Sequence, residues 1–119
     1  MHSLILTLLV ALQAVESSNG LMSKNRLQIR ECCVMDVNRI YATSYNMYDV
    51  YDKARSEEIA LLYLSYWGEK YQAKTGRKPT HEVYARIWNG GPDGWKKLST
   101  LKYWKKVKKE LLKKKSKLP

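Results

Sequence analysis

Phenylalanine is absent from these 119 residues, proline occurs only three times, and the two cysteines, Cys32 and Cys33, are neighbours. Each scarcity excludes something. With so few prolines and 45% apolar residues, the composition is that of a folding chain and not of a disordered one. Adjacent cysteines rarely pair, because a Cα spacing of about 3.8 Å is shorter than a disulfide normally spans. A disulfide scaffold is therefore excluded, nothing demands an oxidising compartment, and at least one thiol is expected to pack as a small hydrophobe. The histidines, His2 and His81, stand far apart and no CxxC spacing occurs, so no metal site is expected. There is no Walker loop and no GxGxxG, which removes nucleotide chemistry and leaves no cofactor implied.

What the chain does contain is concentrated in places. Nine Tyr and four Trp replace Phe as the aromatic stock, giving rings with polar handles that suit core edges and carbohydrate faces. The length fits one cored domain, read here as residues 1–110, followed by a lysine-rich tail over 111–119. The net charge of +11 is local: residues 96–119 hold eleven lysines and one acid, Glu110, so all but one unit of the excess lies there. Such a block attracts polyanions of any kind, nucleic acid, anionic membrane or envelope polymers alike. Lysine without many arginines or a DNA-reading motif predicts no specific nucleic-acid binding.

Residues Leu4 to Val15 are nearly all apolar, too short a run to span a bilayer. Two readings are open. A signal-peptide core has this length but would have a Lys or Arg before it, and cleavage after Val15-Glu16-Ser17 would discard Glu16. A buried helix of good formers, ending at Ser17-Ser18-Asn19-Gly20 with Asn19 or Gly20 in the left-handed cap, is the favoured expectation.

Beyond Gly20, Leu27 and Ile29 alternate with Gln28 and Arg30, predicting a small hairpin or an irregular loop over 21–30. Residues 31–42 read as a short helix with Val34, Val37 and Tyr41 on one side and a solvated Asp36–Arg39 pair on the other. Thr43 to Asp52 reads as a loop. A longer helix starts near Asp52 or Ser56, carries Ile59, Leu62, Tyr63, Tyr66 and Trp67 at helical spacing, and stops before Thr75-Gly76-Arg77-Lys78-Pro79. Thr80 caps the next helix, and Ser99 or Thr100 opens a last one with Leu101, Trp104, Val107 and Leu111 as its apolar stripe. These elements predict a predominantly α-helical α+β domain.

Two places carry chemistry. Glu16 closes an apolar helix, where partial desolvation at the core edge would favour its protonated form, as a general acid requires; a merely solvated terminal glutamate is the alternative. The run Tyr84-Ala85-Arg86-Ile87-Trp88-Asn89-Gly90-Gly91-Pro92-Asp93-Gly94-Trp95 joins a helix to a Gly-Gly-Pro turn. Tyr84, Ile87 and Trp88 share a face, the glycines permit left-handed backbone or close ligand approach, and the Asn89 amide suits a sugar. Arg86 reads as a surface or ion-paired residue.

Three segments resemble a known family in its own order. Ala11 to Gly20 resembles the catalytic helix end of lysozyme-like glycosidases and soluble lytic transglycosylases, in which a Glu-Ser pair closes an apolar helix. Leu27-Gln28-Ile29 is similar to the Gln-Ile element after that family's β-excursion. Tyr84 to Gly94, followed by Ser99 to Val107, is similar to the long signature of invertebrate-type lysozymes and their bacterial relatives. The resemblance implies a lysozyme-like fold with a shortened β-excursion and cleavage of the β-1,4 bond between N-acetylmuramic acid and N-acetylglucosamine. It implies Glu16 as catalytic acid, Gln28 on the cleft floor, and Asn89, Gly90 and Gly91 as the cleft-lining turn, with Trp88 or Tyr103 stacking on sugar. Of the aromatic pair on the last helix, Trp104 is expected in the core and Tyr103 at the cleft or in solvent.

The chain departs from the family pattern in three ways. Trp88 stands where the family has His, disulfides typical of its animal members are missing, and residues 21–27 contain no acid to serve as a second carboxylate. The resemblance thus implies a muramidase or a single-acid lytic transglycosylase, monomeric, acting at the bacterial envelope and secreted or periplasmic, with peptidoglycan strands as partner and anionic envelope polymers held by the tail. A non-catalytic glycan-binding remnant and a non-specific basic nucleic-acid binder are the alternatives.

Overall fold

The computed structural model describes residues 2–19 and 25–116, and the chain is predominantly helical: α1 (His2–Asn19), α2 (Glu31–Tyr41), α3 (Lys53–Thr75), α4 (His81–Gly90) and α5 (Leu101–Ser116), with short 3-10 turns at Asp49–Tyr51, Gly94–Lys96 and Leu98–Thr100. Gly20 as a cap, the first part of the expected 21–30 excursion and the last three residues of the tail lie outside the described residues.

Helix α1 is the axis of the molecule. Its Leu and Ala content favours helix, and Ile5, Leu8, Leu9, Leu12 and Val15, spaced three or four apart, are all buried. Helices α3, α4 and α5 pack around it, and α2 lies against α3. The sides of the bundle are pinned by polar ties: the Trp67 indole N–H donates to Asp36 at 3.0 Å and the Tyr41 hydroxyl to the Leu62 carbonyl at 3.0 Å. Asp36 pairs with Arg39 as expected from their spacing, yet it is only partly solvated because the same carboxylate serves Trp67. Tyr41, expected on the apolar side of α2, is exposed.

Among the described residues there is no strand and no β-excursion; of the two readings of residues 21–30 the irregular loop fits the described part, residues 25–30, which form an irregular turn. The Asn25 side chain explains why: its amide donates to the Ile29 carbonyl and its oxygen accepts from the Ile29 N–H, both at 2.9 Å, so the groups a ladder needs are already satisfied. Gln28 sits in the left-handed region at φ 53, closing the turn. The alternation of Leu27 and Ile29 is therefore two buried anchors under one turn, not one face of a strand.

Helix ends follow the sequence closely. Asp52 accepts from the Arg55 N–H and Thr80 from the Val83 N–H, while Gly76 ends α3 at φ 75. In the middle of α3, Gly68 lets α4 approach, since a Cβ there would come within 2.5 Å of the Tyr84 ring. Because Thr80 supplies a cap to the helix that carries the Trp88-Asn89-Gly90 wall, Thr80→Ala is expected to cost about 1 kcal/mol, read as a lower urea midpoint at unchanged slope.

Candidate active-site groove

A groove of about 440 Å³ opens where the C-terminal part of α1, the 25–30 turn, the start of α2 and the end of α4 meet. Glu16, Gln28, Trp88, Asn89, Gly90 and Gly91 all line it. Residues from opposite ends of the sequence are thus gathered on one surface, with the Glu16 carboxyl and the Asn-Gly-Gly bend bordering one cavity.

Glu16 is held from behind. The Tyr103 hydroxyl donates to its carboxylate at 2.8 Å. Tyr103 itself is buried and is not among the groove-lining residues, so it braces the acid and does not face the cavity. Burial raises the Glu16 pKa above its ordinary value; the Tyr103 hydrogen bond, the Arg30 charge and the Trp88 indole oppose that rise without cancelling it. Desolvation is the largest of these effects, so the carboxyl keeps its proton to higher pH than a solvated one despite the donors that approach it. Burial and the neighbouring carboxylate push the Tyr103 phenol up, so it stays a donor.

A second part of the lining, adjoining Glu16 at Trp88, is built on α4. Gly90 is its last residue and Gly91 follows at φ 87, with its N–H bonded to the Ile87 carbonyl at 2.8 Å. Arg86, only 12% exposed, braces this wall from outside the groove: its guanidinium donates to Thr100 Oγ1, to Glu82 and to the Lys97 carbonyl at 2.8 to 3.0 Å. The expected ion-paired role of Arg86 is what the structure shows. Trp88 is positioned by Tyr63, whose ring meets it edge-to-face at a centroid distance of 5.9 Å. Gln28 lines the groove too, although its amide folds back to the Asn25 carbonyl at 2.9 Å.

Several lining residues escaped the sequence reading: Ile29, Arg30, Cys32, Cys33, Tyr63 and Lys97. Arg30 and Ile29 adjoin Gln28, so that element could have been extended. Lys97 was hidden among the tail lysines, yet its ammonium reaches the Gly90 carbonyl at 2.8 Å. Cys33 packs against the core, and burial, with Cys32 and Asp36 nearby, pushes its thiol up to about 12. Trp104, expected in the core, is half-buried against its edge while Tyr103 is inside. Among the described residues lining the groove, Glu16 is the one carboxylate. Glu31 is exposed at the start of α2, and Asp36 is engaged by Arg39 and Trp67.

Removing the brace has a directed consequence. Tyr103→Phe deletes a donor that lowers the Glu16 pKa, so that pKa should climb further, by a shift visible in a carboxyl-resolved NMR titration. Loss of the hydrogen bond should also cost about 1 kcal/mol of stability at neutral pH.

No family model matches this chain. A protein named lysozyme from Magallana gigas is 49% identical over 39 residues, covering 33% of this chain and 28% of that protein. A second, also named lysozyme, from Ostrea edulis, is 50% identical over 40 residues, covering 34% of this chain and 29% of the other. The matched segment is thus under a third of the length of these curated relatives. What these two partial likenesses support is a lysozyme-like relationship.

Proposed function

We propose that this chain is a peptidoglycan-cleaving glycosidase that acts on the β-1,4 bond between N-acetylmuramic acid and N-acetylglucosamine, with Glu16 as its single general acid. The observation that carries this reading is a half-buried carboxyl of raised pKa that lines one groove together with Trp88, Asn89, Gly90 and Gly91. The partial likeness to two proteins named lysozyme supports a glycoside-hydrolase type of activity.

In this reading the protonated Glu16 gives its proton to the glycosidic oxygen as the bond to C1 breaks. The Trp88 face takes a sugar ring, Asn89 and the Gly90–Gly91 backbone hold acetamido groups, and Gln28 forms the groove floor. Arg30 and Lys97 place two cations in the groove, which suits the lactyl carboxylate of N-acetylmuramic acid. With no second carboxylate among the described residues that line the groove, the substrate supplies the nucleophile. Its own 6-hydroxyl attacks C1 and passes its proton to the Glu16 carboxylate, leaving a 1,6-anhydro sugar and a regenerated acid. Assistance by the N-acetyl oxygen, followed by water, would instead leave a reducing end.

The test is digestion of purified peptidoglycan with mass analysis of the soluble products. Anhydro products, each lighter by one water than the hydrolysed species, support the single-acid route; reducing ends support hydrolysis. Binding of glycan strands with no soluble product over a long incubation would identify a glycan-binding remnant and reject turnover.

A further inference from the structure

We propose that the solvent face of α5, with the 3-10 turn before it, is a docking surface for anionic lipid bilayers, on which Leu98, Leu101 and Leu112 enter the interface while the surrounding lysines meet lipid phosphate. Helix α5 turns Tyr103 and Val107 into the core, with Trp104 and Leu111 half-buried beside them. At 100° per residue, the opposite arc places Leu101 and Leu112 in one stripe, with Lys105 and Lys108 on either side of it. The two leucines stand about 16 Å apart along the axis. Leu98, immediately before the helix, is 81% exposed and Leu112 is 56% exposed.

The lysines are free to act on a partner. Lys102, Lys105, Lys106, Lys108 and Lys109 are exposed, and none of them makes an ion pair among the described residues. Charge complementarity therefore selects an anionic partner, and the leucines select which kind. A soluble phosphate polymer gains nothing from three apolar side chains set among lysines, whereas a bilayer interface takes both, apolar groups below the headgroups and ammonium groups among them. The binding is peripheral, since no helix among the described residues is long and apolar enough to cross a membrane. Each lysine near an anionic surface raises affinity about fivefold, so a cluster of this size suffices for salt-sensitive attachment.

The experiment is co-sedimentation of the full chain with vesicles of phosphatidylglycerol and phosphatidylethanolamine, against phosphatidylcholine vesicles and against a duplex DNA oligonucleotide as a soluble polyanion. The wild type should sediment with the anionic vesicles at low salt and not with phosphatidylcholine. Leu98→Ser with Leu112→Ser should lose about tenfold in vesicle affinity while holding DNA as before. Lys105→Gln with Lys108→Gln and Lys109→Gln should lose about a hundredfold on anionic vesicles and also weaken on DNA. All changes are at exposed positions, and an unchanged circular dichroism spectrum confirms that the fold survives. Equal vesicle binding by the leucine variant would overturn the proposal and leave a charge-only polyanion surface. Absence of wild-type binding to anionic vesicles, or equal binding to phosphatidylcholine, would overturn it as well.

Discussion

Glu16→Gln should reduce release of soluble muropeptides from peptidoglycan by about 10²- to 10⁴-fold, the range a positioned general acid supplies, while leaving the protein folded and still able to bind glycan. The amide keeps the shape of the carboxyl and can still accept from the Tyr103 hydroxyl, so the loss falls on proton donation and not on the scaffold. In the proposed mechanism the protonated acid is the working form, so wild-type activity should decline as pH rises through the raised Glu16 pKa. The same shift leaves a mark on stability. A carboxyl whose folded pKa lies above its unfolded value binds its proton more tightly in the native state, so stability falls as pH climbs from about the ordinary value of 4.5 through the raised one and is flat above it. The Gln variant lacks this fall. Denaturant titrations of both proteins across that window should therefore diverge, with the variant relatively more stable on the alkaline side. Equal cleavage by variant and wild type would remove Glu16 from the mechanism whatever the stability curves show.

Gly94→Ala should be the most damaging alanine substitution among the described glycines, at about 3 kcal/mol, and should lower the melting temperature by on the order of 10 °C or more. Gly94 is buried beneath the end of α4, where an added Cβ would overlap the Arg86 carbonyl oxygen and crowd the Ile87 Cα. These are backbone atoms of a helix, so no rotamer change relieves the clash. Nor can the turn shift freely, because the Gly94 N–H bonds to the Gly91 carbonyl at 2.7 Å and the Gly94 carbonyl accepts from Thr100 Oγ1 at 2.7 Å. Gly76→Ala provides the contrast. Nothing lies near its Cβ position, and only its left-handed φ of 75 opposes the change, which should cost about 1 kcal/mol. Differential scanning calorimetry of the two variants checks the ranking; equal melting temperatures would show that the turn is more compliant than its hydrogen bonds imply.

Much of the architecture could be read from local signals because these are local in origin. The caps at Asp52 and Thr80 and the left-handed glycine at 76 act within one turn of chain, and the apolar spacing in α1 needs only its own helix to be recognised. The 25–30 segment left a hairpin and an irregular loop both open because two alternating apolar residues cannot distinguish a strand from a turn pegged at two points; the deciding group was the side chain of Asn25. In α5, the stripe through Leu101, Trp104, Val107 and Leu111 was misplaced by a fraction of a turn. Burial centres nearer Tyr103 and Val107, and a lysine-rich helix offers few apolar marks by which to fix that rotation. Of the groove residues suggested by family resemblance, Glu16, Gln28, Trp88, Asn89, Gly90 and Gly91 line one cavity while Tyr103 lies buried behind Glu16; Tyr63 and Lys97 were invisible because their roles arise from contacts with Trp88 and Gly90 across the fold.

The hydrogen bond between Glu16 and Tyr103 joins residues 87 positions apart, one in the first helix and one in the last. Because synthesis runs from the N-terminus, Glu16 is made before the residue that braces it. A partly translated polypeptide therefore contains the Glu16 carboxyl without the hydroxyl that orients it, until α5 has been made and has packed against α1.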